Sequence, residues 1–164
     1  MKNDSVHEIE LYSPESFEIL FDHEVNRSRR SGNPMTLVDL TFEIDPANSQ
    51  SLHSAEVYTI NVLNLRLRDT DIPCKKGSEF LVLMPATDEQ GARVACERLE
   101  KLFKIEHQTY DSVSFELIAY LGMATLPGDR SISGKELMRL ATLAMQQART
   151  KHLTNTVIFS EIEH

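Results

Sequence analysis

Cysteine is scarce in this chain of 164 residues, which contains only Cys74 and Cys96. Two cysteines are too few for a disulfide framework or a zinc site, and we expect both to be buried or half-buried free thiols. No apolar run approaches the roughly 20 residues that a membrane span needs, and the N-terminus has no apolar signal core. We therefore expect a cytoplasmic protein without a membrane span.

Basic residues are also in short supply, with 17 lysines and arginines against 25 aspartates and glutamates and a formal net charge of −8. This balance argues against a general nucleic-acid binder, because such proteins gain affinity by neutralising phosphates with cations. The six histidines show no metal-ligand spacing and no partner for a nucleophile. We expect no metal site, no cofactor and no catalytic residues.

The apolar pattern predicts alternating helices and strands without a linker or an internal repeat. Helices are expected at 14–31, about 52–67, after Pro85 and at about 133–151; strands are expected at 35–44, 71–74, 79–84, 114–124 and 156–159. The short strands 71–74 and 79–84 are separated by residues 75–78, which is a hairpin signal. This order implies one α+β domain over residues 1–164, with a largely antiparallel sheet, and we expect a standalone protein.

Five short segments resemble one family in the correct order. Residues 68–80 read RDTDIPCKKGSEF and resemble the signature hairpin of the GGDEF family, whose members are diguanylate cyclases that condense two GTP molecules into cyclic di-GMP. The other matches are 27–34 to RARRxGxP, 97–99 to AERI, 122–124 to SIGVA, and 137–157 to LLxxADxALYxAKxxGRNxV. The resemblance implies a ferredoxin-like core with a mostly antiparallel central sheet flanked by helices.

The residues that cyclase chemistry needs are altered. Metal ions must neutralise the phosphates, and the family holds them with an Asp-x-Asp carboxylate and the third letter of its signature. Counting from Pro34 without a gap aligns Thr41 and Ser78 with these carboxylates. An alternative register would bring Asp39 to the metal position, but it requires a two-residue deletion after Pro34.

Other parts of the family's active site are also missing. The aspartate that reads guanine aligns with Val57, and the N-terminal phrase DxLTGLxNR is absent. Glu79 survives from the signature, and we interpret it as a solvated hairpin charge. The sequence therefore predicts that the chain has no diguanylate cyclase activity.

One binding motif of the family is intact. Arg68 and Asp71 match the Arg-x-x-Asp of the inhibitory site that binds cyclic di-GMP in many members, at the usual distance from the signature. The resemblance adds Arg98 as a second arginine of this site and Arg27 as an arginine that a partner subunit contributes. An arginine fork can bind a guanine edge or a phosphate, and a carboxylate can accept the guanine N1 and N2 hydrogens. Taken separately, each of these residues also fits an ordinary surface role, such as an exposed ion pair between Arg68 and Asp71.

Three functions are compatible with this pattern. The first is a catalytically inactive cyclic di-GMP receptor and signalling protein that uses Arg68, Asp71, Arg98 and Arg27, with an unidentified protein partner and a homodimer as one possible assembly. The second is a nucleotide-free domain that uses the fold for protein-protein interaction. The third is a remnant GTP-binding regulator.

Overall fold

A computed structural model describes residues 11–105, 108–129 and 131–162. Its helices are α1 (Pro14–Ser31), α2 (Ser49–Arg66), α3 (Glu89–Phe103) and α4 (Gly134–Thr150). Its strands are β1 (Met35–Asp45), β2 (Ile72–Lys76), β3 (Glu79–Met84), β4 (Gln108–Tyr110), β5 (Val113–Leu126) and β6 (Val157–Ile158). The predicted α+β class is confirmed, and the predicted elements occur in the expected order, with β4 as one additional strand that was not predicted.

The strands form a single sheet in the order β2, β3, β1, β5, β4, and every neighbouring pair in this order is antiparallel. The short β6 extends it by pairing in parallel with β5, where Gly122 lies opposite Val157. Strand β1 occupies the centre and pairs with β5 over its whole length. The mostly antiparallel sheet is therefore as predicted.

Successive side chains of a strand point to opposite faces of the sheet, and β1 and β3 carry apolar side chains on both faces. Helices therefore pack on both sides of the sheet. On one face, β1 and β3 side chains pack with α2 and α3 around a core that includes Val38, Leu40, Val82, Leu63 and Leu99. On the other face, they pack with α1 and α4 around a core that includes Leu37, Leu83, Phe21, Leu137 and Ala141. Both cysteines are buried and free, as expected.

Local signals fix the helix that leads into the central strand. Ser13 accepts a hydrogen bond from the Ser16 backbone at 3.1 Å, and Pro14 occupies the first helical turn. At the other end, Gly32 takes a left-handed conformation with φ 75° and donates its N–H to the Ser28 carbonyl at 2.9 Å. These caps hold the basic end of α1 next to the start of β1.

The hairpin differs in detail from the prediction. Residues 75–78 were expected to connect the two strands, whereas β2 continues to Lys76 and leaves a turn of two residues, Gly77 and Ser78. Gly77 has a φ of 61°, which suits the first central position of a type II′ turn. The tighter turn brings Ser78 close to the end of β1.

Candidate functional site

The segment from Arg68 to Asp71 forms a turn between α2 and β2 that closes on itself. Asp71 donates its backbone N–H to the Arg68 carbonyl at 2.9 Å. In return, the Arg68 backbone N–H donates to Asp71 Oδ2 at 2.9 Å, and Arg68 Nη2 donates to Asp71 Oδ1 at 3.2 Å. The Asp71 side chain is 2% exposed, and the Arg68 side chain is 58% exposed. The buried Asp71 carboxylate therefore holds the exposed Arg68 side chain in one orientation.

A second contact fixes the Arg68 guanidinium. Nη2 also donates to Thr87 Oγ1 at 2.5 Å, and this hydroxyl donates to the Pro85 carbonyl at 2.9 Å. Thr36 on β1 donates to the Thr87 carbonyl at 3.0 Å, which ties the loop before α3 to the sheet. Arg68 is thus held at one nitrogen, while its other nitrogens and its flat face are available to a ligand.

Arg68 and Arg27 line the same cleft within one chain. The cleft has a volume of about 320 Å³ and lies between the end of α1, the start of β1 and the loop before α3. Its lining also includes Glu24, whose Oε1 lies 3.7 Å from Arg27 Nη1. Two arginines therefore meet on one small cleft of an acidic chain, each with an acid beside it: Glu24 for Arg27 and Asp71 for Arg68.

Arg98 does not join this group. It is exposed on α3, and it makes no hydrogen bond or ion pair with any residue that the structure describes. Thr87, which contacts Arg68, precedes the first turn of the same helix. The structure therefore brings together Arg68, Asp71 and Arg27, and leaves Arg98 as a separate cation on the surface.

A second cluster lies at the hairpin turn, where the resemblance aligned the metal-binding carboxylates. Thr41 on β1 donates its hydroxyl to the Ser78 carbonyl at 3.3 Å. The two positions identified by ungapped counting are therefore neighbours in space. Both side chains are neutral hydroxyls, so these two positions do not fit the divalent ions that cyclase chemistry requires.

Asp39 lies two residues earlier on β1, where it is completely buried. Its Oδ2 accepts a hydrogen bond from Thr142 on α4 at 2.9 Å, while Oδ1 has no donor among the described residues. Burial, followed by the charge of Glu79, raises the pKa of Asp39 to about 7. Glu79, which we expected to be a solvated hairpin charge, is half-buried and interacts with this carboxyl group.

The end of β1 meets the end of α4 beside this cluster. Glu43 lies 3.7 Å from Arg149, and the Tyr120 hydroxyl lies 3.4 Å from Glu43 and 3.3 Å from His152 Nδ1. Burial and the charge of Glu43 raise the pKa of Tyr120. Glu43, the second acid of the aligned Asp-x-Asp, is thus engaged by Arg149 and the tyrosine.

Within 11–105, 108–129 and 131–162, no group of three or more histidine, cysteine, aspartate or glutamate residues is arranged to hold a metal ion. Over the same ranges, none of the helices has the length and apolar character needed to cross a membrane.

Two residues that contact the arginines of the cleft, Thr87 and Glu24, are not marked as site residues by the sequence. Thr87 directly precedes the cap of α3, Asp88, which accepts the Gly91 N–H at 2.8 Å. Glu24 was not singled out because it is one of several acids along α1. The contact of Thr87 with Arg68 depends on how separate elements pack. Glu24 and Arg27 are an i,i+3 pair within α1, and it is their approach to Arg68 that depends on packing.

Comparison with known proteins supports the resemblance. Residues 58–155 match the model of the GGDEF family, described as the diguanylate cyclase GGDEF domain. No curated protein sequence matches the chain significantly.

Solved structures share the fold. Diguanylate cyclase SiaD of Pseudomonas aeruginosa, solved with its activator SiaC, is 20% identical with a TM-score of 0.79; the alignment covers 90% of this chain and 58% of SiaD. The GGDEF domain of DgcB from Caulobacter crescentus, solved with c-di-GMP, is 16% identical with a TM-score of 0.73 and coverages of 92% and 90%. The active GGEEF domain of a Vibrio cholerae diguanylate cyclase is 14% identical with a TM-score of 0.76 and coverages of 92% and 98%.

Proposed function

Because this chain belongs to the GGDEF family, we propose that it is a catalytically inactive member that binds cyclic di-GMP and acts as a cytoplasmic signalling protein. Binding is through Arg68, which Asp71 orients, with Arg27 on the same cleft; we propose that Arg98, which lies outside the cleft lining, reaches the ligand from the exposed surface of α3. The observation that carries the proposal is the anchored but exposed guanidinium of Arg68. A guanidinium that is already ordered loses little side-chain entropy when it binds a guanine edge or a phosphate.

The neighbours provide further support. DgcB, which shares the fold, was solved with c-di-GMP bound to its GGDEF domain. Arg27 and Arg68 line one cleft of a single chain, so we propose that one chain supplies both arginines to the ligand, and that a homodimer sharing the ligand is a second assembly compatible with this site. The overall negative charge disfavours long-range attraction of an anion, so affinity must come from close contacts in the cleft.

We expect the Arg68→Ala variant to bind cyclic di-GMP about tenfold to a hundredfold more weakly than the wild type. Hydrogen bonds to a charged group contribute about 1.5 to 3 kcal/mol, which corresponds to that range of dissociation constants. Isothermal titration calorimetry measures the change directly. Arg66→Ala is the matched control, because Arg66 is exposed in the last turn of α2 and does not line the cleft. Equal affinity of the wild type and Arg68→Ala would refute the assigned site.

We expect the protein to form no cyclic di-GMP from GTP in the presence of Mg²⁺ or Mn²⁺. Thr41 and Ser78 offer hydroxyls where the family has carboxylates, so the phosphate charge is not neutralised as the reaction requires. Chromatography of the nucleotides after incubation is the measurement, with the active Vibrio cholerae GGEEF domain as positive control. Product formation above the enzyme-free background would overturn the assignment as inactive.

A second candidate is a nucleotide-free interaction domain. SiaD, which shares this fold, was solved in complex with a protein, its activator SiaC. If calorimetry detects no heat with cyclic di-GMP or with GTP, this candidate replaces the first, and the partner becomes the object of a pull-down experiment. Binding of GTP alone would instead favour the remnant GTP-binding regulator.

A further inference from the structure

The Asp71 carboxylate is poorly placed to contact a ligand. Its two oxygens accept the backbone and side-chain hydrogens of Arg68 at 2.9 and 3.2 Å, and its side chain is 2% exposed. A ligand would have to open the turn before it could donate to Asp71. The turn therefore provides an oriented arginine, and the acceptor for a guanine base must come from elsewhere in the cleft.

Glu24 is the carboxylate that the cleft does contain. It lies on α1 one turn before Arg27 and lines the cleft together with Arg68. Its side chain is only 16% exposed, against 69% for Arg27. The one contact of its carboxylate is the long ion pair with Arg27 at 3.7 Å, and no described residue donates a hydrogen bond to it.

The Glu24 oxygens are not among the buried side-chain atoms that lack a partner, so they can be reached from the cleft. With no donor among the described residues, they have only water to replace when a ligand donates to them. The 3.7 Å contact with Arg27 is too long for a hydrogen bond and is easily exchanged for a better partner. Two donors placed side by side would satisfy both oxygens of Glu24, in the way that an arginine fork satisfies a carboxylate. The Watson–Crick edge of guanine presents such a pair, the N1 hydrogen and the N2 amino group.

We propose that Glu24 reads the guanine base in this cleft by accepting the N1 and N2 hydrogens, while Arg68 and Arg27 of the same chain bind the O6/N7 edge and the phosphate. The inference rests on the proposed binding of cyclic di-GMP and adds a specificity residue to it. A cleft of about 320 Å³ lies at the small end of the range for ligand pockets, which suits one guanylate half of the ligand. Selectivity follows because a site built to receive two donors rejects a base that lacks one of them.

The test compares cyclic di-GMP with its inosine analogue, which lacks only the N2 amino groups, by calorimetry on three proteins. We expect the wild type to prefer cyclic di-GMP by at least tenfold. Glu24→Gln should bind cyclic di-GMP at least tenfold more weakly and lose the preference, because an amide cannot accept with both of its polar atoms. Glu18→Gln, the same change on an exposed residue of α1 outside the cleft, should behave as the wild type.

The outcomes separate the two proposals. If the wild type binds cyclic di-GMP, Arg68→Ala loses binding and Glu24→Gln binds as well as the wild type, then the receptor function stands and the role of Glu24 is wrong. Equal affinity of the wild type for the two ligands also overturns it, and that measurement is independent of whether a variant folds. If the wild type binds neither ligand, the proposed function fails, and the role of Glu24 fails with it.

Discussion

The Gly122→Ala variant is expected to lose at least about 3 kcal/mol of unfolding free energy, or to fail to fold. Gly122 lies in the middle of β5, opposite Asp39 on β1. A Cβ atom at this position would overlap the α4 backbone, with Met145 Cα only 2.6 Å away and the Met145 nitrogen closer still. Backbone atoms of a packed helix cannot rotate away as a flexible side chain can. Helix α4 would have to lift off the sheet.

Thermal and urea unfolding of the variant provide the measurement, and Gly91→Ala provides a control. At Gly91, in the first turn of α3, an added Cβ would meet side-chain atoms of Thr87 and Asp88 at 3.2 Å. Alanine also favours a helix by about 1 kcal/mol over glycine, so this variant should stay within about 1 kcal/mol of the wild type. A Gly122→Ala protein as stable as the wild type would show that α4 can move away from β5 at little cost.

Gly122 shows which features of the fold could be predicted from the sequence and which could not. The match of 122–124 to a family motif located the strand, but the reason for the glycine, the approach of α4, required the structure. Helix α1 was predicted to its last residue because the Pro14 and Gly32 signals are local. Strand β4 was missed: it has three residues, and the turn after it uses Asp111 and Ser112 at positive φ, without a glycine to mark it.

The candidate site also contains residues that the sequence identified and a residue that only the packing of the chain brings to the site. The turn of Arg68 and Asp71 was recognisable because both residues lie within four positions, and the structure pairs them directly. Glu24 joins the cleft through the packing of α1 against the start of β1, about 40 positions away from Arg68 in the sequence. Single-sequence patterns contain no information on such distant pairs unless a motif or a period connects them.

The buried acid of β1 leads to a second large effect. We expect Asp39→Asn to raise the unfolding free energy at pH 8 by roughly 2 to 4 kcal/mol, since each pKa unit corresponds to about 1.4 kcal/mol. In the folded protein the pKa of Asp39 is raised from its model-compound value of 3.8 to about 7, chiefly by burial and then by Glu79. Asparagine mimics the protonated acid: it can accept from Thr142 and donate to Glu79 without introducing a charge.

The pH dependence follows from the direction of the shift. Below about pH 4 the side chain is protonated in both the folded and the unfolded chain, so Asp39 carries no ionisation penalty there. As the pH rises from about 4 to about 7, the unfolded chain releases this proton while the folded chain retains it, and stability falls. Above about pH 7 the penalty is complete. The advantage of Asp39→Asn should therefore be small at pH 4, grow through this window and level off.

Urea unfolding of the wild type and Asp39→Asn at pH 4, 6 and 8 measures this advantage. Asp22→Asn serves as the control, because Asp22 is exposed on α1 and its substitution should shift stability little at any of these pH values. An advantage that is absent at pH 8, or that is as large at pH 4 as at pH 8, would mean that Asp39 ionises normally in the folded state. The expected result would instead indicate that an acid which stays protonated up to about pH 7, bonded to Thr142 and facing Glu79, occupies the region between β1, the hairpin and α4. The two acids can share this buried region without repulsion only while one of them holds a proton. At acidic to neutral pH the region would then be part of the packed interior, as the uncharged hydroxyls of Thr41 and Ser78 beside it also suggest.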